Sequence, residues 1–140
     1  MYLLDTNVVS ELGRRGRPDS RVVRWAAAKP VSAFYLSAIS LVEIEVGVLL
    51  MERRDRRQGA VLREWFDRDV RRRFAGRILT VDETVAHRCA SLHAPDPRPA
   101  HDALIAATAI VHGLTVVTRN IADFAPTGVP LINPWEPAAI

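Results

Sequence analysis

Short apolar runs alternate with longer stretches of helical spacing along the whole chain. Tyr2-Leu-Leu4, Phe34-Tyr-Leu-Ser37, Arg77-Ile-Leu-Thr-Val81 and Leu114-Thr-Val-Val-Thr118 read as four strands. Val129-Pro-Leu-Ile132 reads as a fifth, with Pro130 confining it to an edge or a strand start. Between them the apolar positions recur at helical spacing over residues 8–12, 21–29, 40–52, 59–74, 82–93 and 101–112. Pro30 is a stop signal for the second of these and Gly113 for the last. Strands that are apolar throughout are buried on both faces, which is the habit of parallel sheets. The alternation therefore predicts an α/β fold: a three-layer α/β/α sandwich around a short, mainly parallel sheet of four to five strands. The Pro-rich loop Pro95-Asp-Pro-Arg-Pro99 is too short to divide domains, so residues 1–140 are read as one domain.

Composition changes this picture in two respects. The net charge is +3, but one segment makes it. Between Glu52 and Arg77 ten arginines face five acids, leaving the other 114 residues at −2. Lys29 is the only lysine. Arg71-Arg72-Arg73 within that segment is a candidate phosphate-binding rim, set against the alternative of a solvated helix face paired to Glu52, Asp55, Glu64, Asp67 and Asp69. The apolar face Val22, Val23, Trp25 and Ala26 is a candidate partner surface, with core packing as the favoured alternative. A single cysteine, Cys89, excludes an internal disulfide or a thiolate zinc site and reads as a small buried hydrophobe. No apolar run is long enough to span a membrane. Met1-Tyr-Leu-Leu runs into Asp5 without a basic lead, so a soluble, cytoplasmic protein is expected.

In an open parallel sheet, ligands bind beyond the carboxyl ends of the strands. Asp5 ends the first strand, Glu43 lies one turn into the helix after the second, Asp102 opens the helix feeding the fourth, and Asp123 comes after the fourth. Each has a local reading. Asp5 can cap the next helix, Ser40-Leu-Val-Glu43 fits a capping box, Asp102 complements a helix dipole, and Asp123 can make an Asx turn. Four carboxylates at one sheet end must nevertheless relieve their mutual repulsion, by protonation or by a bound cation. Oxygen ligands without imidazole or thiolate partners favour Mg²⁺ or Mn²⁺ over zinc. No G-x-S-x-G, G-x-G-x-x-G or Walker sequence is present, and His87, His93, His101 and His112 lack zinc-site spacing, although His101 adjoins Asp102.

The segments Leu3-Leu-Asp5-Thr-Asn7, Ser40-Leu-Val-Glu43, His101-Asp102-Ala-Leu-Ile-Ala-Ala107 and Thr118-Arg-Asn-Ile-Ala-Asp123-Phe124 together resemble the PIN-domain ribonucleases, in particular the VapC toxins of toxin–antitoxin pairs with their FitB-like branch. The resemblance extends to Asn133-Pro-Trp135-Glu and covers essentially the whole chain. It implies an Mg²⁺-dependent endoribonuclease whose Asp5, Glu43, Asp102 and Asp123 hold one or two ions and activate a water, with Asn7 and Thr118 orienting the carboxylates. Arg119 becomes a candidate phosphate contact, with a structural role as the alternative. Also implied are a homodimer, a VapB-type antitoxin covering the site, and assembly with it into larger complexes. The alternative is a catalytically silent module of the same fold that binds metal, RNA or antitoxin. Aspartate phosphatases and phospho-receivers, by resemblance to those families, would need a pocket lysine, and Lys29 precedes Pro30 away from every strand end.

Overall fold

A computed structural model describes residues 1–136. Five parallel strands form one sheet in the order β3-β2-β1-β4-β5: β1 (Tyr2–Leu4), β2 (Phe34–Ser37), β3 (Ile78–Leu79), β4 (Thr115–Val117) and β5 (Leu131–Ile132). Leu3 lies opposite Tyr35 on one side and Val116 on the other, so β1 is central. Because every pairing is parallel, the strand carboxyl ends share one edge, and the segments leaving β1, β2 and β4 meet there.

The strands are apolar on both faces because both faces are covered. Leu4, Leu36 and Val117 pack with Val8, Val22, Ile44, Val48 and Phe66. These come from α1 (Thr6–Leu12), α2 (Ser20–Ala27), α3 (Ala38–Arg54) and a basic helical stretch. That stretch comprises α4 (Arg56–Glu64), a π segment (Trp65–Val70) and the single turn α5 (Arg71–Arg73). Leu3 and Val116 pack on the other face with Ile105, Ala106, Ala109 and Phe124. On that side α6 (Glu83–Leu92) packs through Val85 and Cys89 against Ala103 and Ala107 of α7 (Ala100–His112), and α8 (Ile121–Phe124) completes the layer. The three layers and parallel sheet agree with the pattern of the chain. Cys89 is buried and free, and burial pushes its thiol pKa up. Gly113 ends α7 in the left-handed region at φ 67°, where a residue without Cβ fits at least cost.

Several boundaries differ from the pattern. The first helix begins at Thr6, because Asp5 caps it and starts it two residues earlier than the apolar positions indicate. Pro30 does not end α2, which stops at Ala27; Pro30 instead leads a short 3₁₀ turn into β2. The third helix starts at Ala38, capped by the Ser37 hydroxyl accepting from the Ile39 amide at 3.0 Å. Ser40 is therefore inside the first turn with its hydroxyl buried, and the capping-box reading of Glu43 is wrong. The basic helix begins early, at Arg56, because Asp55 caps it, and it loosens to π geometry from Trp65. The third strand shrinks to two residues, because only Ile78 and Leu79 reach β2.

Arg63 fastens α3 to α4. Its guanidinium lies 2.8 Å from Glu45, 3.1 Å from Glu52 and 3.7 Å from Asp67, and the Glu52 and Glu45 carboxylates hold its pKa above the ordinary arginine value. A second fastening is steric. The indole of Trp65 lies over Gly13, where a Cβ would stand 2.2 Å from its Nε1. Gly13 has ordinary backbone angles (φ −89°), so steric exclusion by the indole is its only visible requirement. Gly13→Ala is expected to destabilise the fold by about 1–3 kcal/mol through overpacking, read as a lower urea midpoint at unchanged slope; an unchanged midpoint would mean the indole swings away freely.

Candidate active site

Asp5 is the hub of the carboxyl edge. It is 5% exposed, held at the end of the central strand by its amide donating to the Val117 carbonyl at 2.9 Å. One carboxylate oxygen accepts from the Thr6 amide at 2.8 Å. The other accepts from the buried Thr118 hydroxyl at 2.8 Å and from Asn7 Nδ2 at 3.3 Å. Thr118 in turn accepts from the Asn120 amide at 2.9 Å, and Asn7 Oδ1 accepts from the Arg119 amide at 3.3 Å. Asn7 and Thr118 thus orient Asp5, and the turn after β4 is tied to the first turn of α1.

Glu43 reaches the same edge from α3. One oxygen accepts the Thr6 hydroxyl at 2.7 Å, and the other lies 3.3 Å from His101 Nδ1. Thr6 is the functional neighbour that sequence reasoning missed. It contributes its amide to Asp5 and its hydroxyl to Glu43, so one residue locks two acids from different elements. The signal available was its place directly after a strand-ending Asp, which reads equally well as an ordinary first helical residue.

The electrostatics are those of crowded like charge. The pKa of Asp5 is raised, first by burial and then by Glu43 and Asp102, against the lowering effect of the Thr118 and Thr6 hydrogen bonds. That of Asp102, in the first turn of α7, is raised by burial, then by Asp123 and Glu43, with His101 opposing. Asp123 is exposed on the one-turn α8. All four predicted acids therefore influence one another at one sheet edge. Among the described residues neither Asp5, Asp102 nor Asp123 has a cationic partner within ion-pair distance, and Glu43 has only His101. Among the same residues, no three acidic, imidazole or thiol groups close on one point as a finished cage. The donor set fits a hard divalent cation in chemistry and charge: oxygens only, crowded and oriented by hydrogen bonds.

The arginines named as substrate contacts do not join this edge. Arg71, Arg72 and Arg73 immediately precede the turn into β3, and Arg77 beyond them donates to the Phe34 carbonyl, at the first residue of β2, at 2.9 Å. They therefore sit towards the amino edge of the parallel sheet, and Arg71 is 3.5 Å from Asp67 in a helical pair. The sequence places them beside the site only if the basic helix runs along it, and the π segment and α5 lead it the other way. Arg119 comes directly after Thr118 at the end of β4, but its guanidinium lies 5.1 Å from the centre of the Trp135 ring, the structural alternative. Lys29 is likewise remote, 4.6 Å from the Trp25 ring and 5.5 Å from that of Tyr2 at the start of β1.

A separate cleft of about 540 Å³ opens between α2 and the π segment, lined by Val9, Val23, Ala26, Phe34, Trp65 and Val70 among others. Of the predicted partner face, Val22 is in the core and Trp25 stacks near Phe34, while Val23 and Ala26 line this cleft. No helix among the described residues is long and apolar enough to cross a membrane.

Comparison with known proteins places this arrangement. The PIN domain family matches residues 2–126. The VapC ribonuclease Y4jK of Sinorhizobium fredii is 37% identical over 143 residues, covering 99% of this chain and all of that protein. Toxin FitB of Neisseria gonorrhoeae is 40% identical over 142 residues, covering 97% of this chain and 99% of its own length. In the solved structure of FitAB bound to the IR36 DNA fragment, one chain superposes with a TM-score of 0.90 at 38% identity, over 99% of both chains. With its four acids gathered on the carboxyl edge and relatives matched end to end, the chain belongs to the PIN-domain family.

Proposed function

We propose that this chain is the ribonuclease toxin of a toxin–antitoxin pair, hydrolysing RNA phosphodiester bonds at the Asp5, Glu43, Asp102 and Asp123 edge with Mg²⁺, or Mn²⁺ in its place. The observation that carries the reading is a buried carboxylate, Asp5, raised in pKa by burial and two neighbouring acids yet oriented by three donors. A carboxylate kept for structure alone would be paired with a cation or replaced; this one is prepared to receive a cation. The names of the relatives, VapC ribonuclease and FitB toxin, agree with it.

Asp5, Glu43, Asp102 and Asp123 would hold the metal. When bound, a divalent ion supplies a water of lowered pKa and charge stabilisation for the leaving oxygen. The chain's own residues do the positioning. Thr118 and Asn7 fix the rotamer of Asp5, and Thr6 joins it to Glu43, so that two acids from different elements are aligned before any ligand arrives. The carboxyl edge is open at Asp123 and His101, both exposed, which leaves room for a strand of RNA. Hydrolysis in this manner leaves a 5′-phosphate and a 3′-hydroxyl.

The partner is an antitoxin of VapB type, in line with the FitAB complex to which the chain is similar. The apolar cleft beside Val23 and Ala26 offers such a protein a seat for an apolar segment. The protein acts in the cytoplasm as one unit over residues 1–140. The test is incubation of the purified, antitoxin-free chain with total RNA. Mg²⁺ should give cleavage, EDTA should abolish it, and excess Mg²⁺ should restore it. Metal binding seen by calorimetry without any cleavage would instead establish the silent, metal-binding module.

A further inference from the structure

The exposed face of α3 has no occupant within the chain. At 3.6 residues per turn, Val42, Val46, Leu49 and Arg53 share one side of the helix, with Leu50 beside them. Val42, Val46 and Leu49 are each 48–49% exposed, and Leu50 is 63% exposed. Single exposed apolar residues need no explanation, but a continuous stripe of four marks a contact surface.

The charge layout along α3 selects the occupant. Its amino-terminal end bears Glu43 and adjoins Asp5 and Asp102. Its carboxyl-terminal end bears Arg53 and Arg54, both exposed and without an ion pair among the described residues, with Arg56 and Arg57 just beyond. We propose that this stripe is where a second copy of the chain docks, antiparallel about a two-fold axis near Val46, so that Arg53 and Arg54 of each copy lie beside the acidic edge of the other. A two-fold antiparallel pair matches acid to arginine at both ends, whereas a parallel pair would set acid on acid and arginine on arginine. A partner of unrelated sequence has no reason to mirror this chain's own layout.

Gly47 supplies an independent sign. It sits mid-helix, where glycine is the poorest choice short of proline, and nothing lies within 4 Å of where its Cβ would be. No contact inside the described chain calls for glycine there. It is one turn beyond Glu43 on the same flank as Arg54, and so leaves a notch through which the arginine of the second copy passes towards Glu43. The arginine pair left unused by the site within one chain thereby acquires a role in trans. This last step rests on the nuclease reading of the acidic edge; the docking does not.

Sedimentation and cross-linking test both. The wild-type chain should sediment as a dimer at tens-of-micromolar concentration, and Val46→Asp should weaken association about tenfold or more. Val42→Cys and Leu50→Cys proteins, mixed under mild oxidation, should form the mixed disulfide in preference to either self-pair, since antiparallel pairing sets 42 against 50; the native Cys89 is buried and does not compete. Arg53→Glu with Arg54→Glu should also weaken the dimer and reverse its salt dependence. A monomeric wild type, a dimer indifferent to Val46→Asp, or preferred 42–42 self-pairs would overturn the proposal. A dimer on this face indifferent to the arginine reversals would overturn its charge pairing. Absence of RNA cleavage would bear on the nuclease reading and leave the masses and cross-links unchanged.

Discussion

Asp5→Asn is expected to reduce RNA cleavage by roughly a thousandfold or more, about 4 kcal/mol of lost transition-state stabilisation, while leaving the metal-free fold as stable as before or more so. The two effects part company for a physical reason. Asn keeps the shape of the carboxylate, and its amide oxygen can still accept from the Thr6 amide while the Thr118 hydroxyl turns to accept from the new NH₂ group. What disappears is the charge. That charge is a burden without metal, because burial, Glu43 and Asp102 all raise the pKa of Asp5. With metal it is the innermost ligand. Asp5→Ala would confuse the outcome, since it orphans the Thr118 and Asn7 donors and costs about 1–3 kcal/mol for buried unpaired groups. The measurement pairs initial rates on RNA in Mg²⁺ with thermal melts in EDTA. Full activity in Asp5→Asn would sink the assignment of this edge, and a large loss of stability in EDTA would make Asp5 a structural residue.

How much of this is legible in the chain depends on whether the signal is local. Asp5, Asp102 and Asp123 are readable because each adjoins an element whose type is plain from its neighbours: an apolar run before Asp5, a helix opening at Asp102, a strand ending before Asp123. Parallel pairing then carries them to one edge, a consequence of topology alone. Glu43 is ambiguous in the sequence because Ser37 and Ser40 both suit a helix cap three to six residues before it. Only the end of β2 at Ser37 decides, since its pairing with Leu79 fixes where the strand stops. Thr6 is invisible for a related reason: its two bonds join Asp5 to Glu43 across 37 residues, a contact no local pattern encodes.

The arginine segment fails differently. Its composition is plain, but its position depends on the π segment over Trp65–Val70 and on α5, which turn the chain towards the start of β3. Arg71 to Arg73 are thereby separated from the acids. Arg63, unremarkable within the run, proves to be the residue that joins three carboxylates of α3 and the basic helix. Charge counts report how many cations there are, and the fold decides which of them face phosphate, which face Glu45 and Glu52, and which stand at the free end of α3.

The second large effect is a reversal of pH dependence by metal. The ordinary carboxyl pKa of 3.8 applies to Asp5 and Asp102 in the unfolded chain, and folding raises both. Above 3.8 the folded state therefore binds more protons than the unfolded state, and stability falls as pH rises until both groups are ionised. The penalty is absent below 3.8 and complete above the raised values. Asp19 works the opposite way: hydrogen bonds from Arg21 push its pKa down to about 2, so its contribution is present above 3.8 and lost as pH falls towards 2. In EDTA the melting temperature should thus decline from acid towards neutral pH once Asp19 and groups like it are ionised. Mg²⁺ binds the ionised acids and stabilises the native state by RT ln(1 + [L]/Kd), with a Kd that tightens as protons leave. The gap between the Mg²⁺ and EDTA melting curves should therefore widen with pH across the interval where the EDTA curve declines. Asp5→Asn with Asp102→Asn removes both the decline and the gap, because one pair of carboxylates causes the two. Parallel curves in Mg²⁺ and EDTA would detach the raised carboxylates from metal binding altogether, and would do so without any measurement of RNA cleavage.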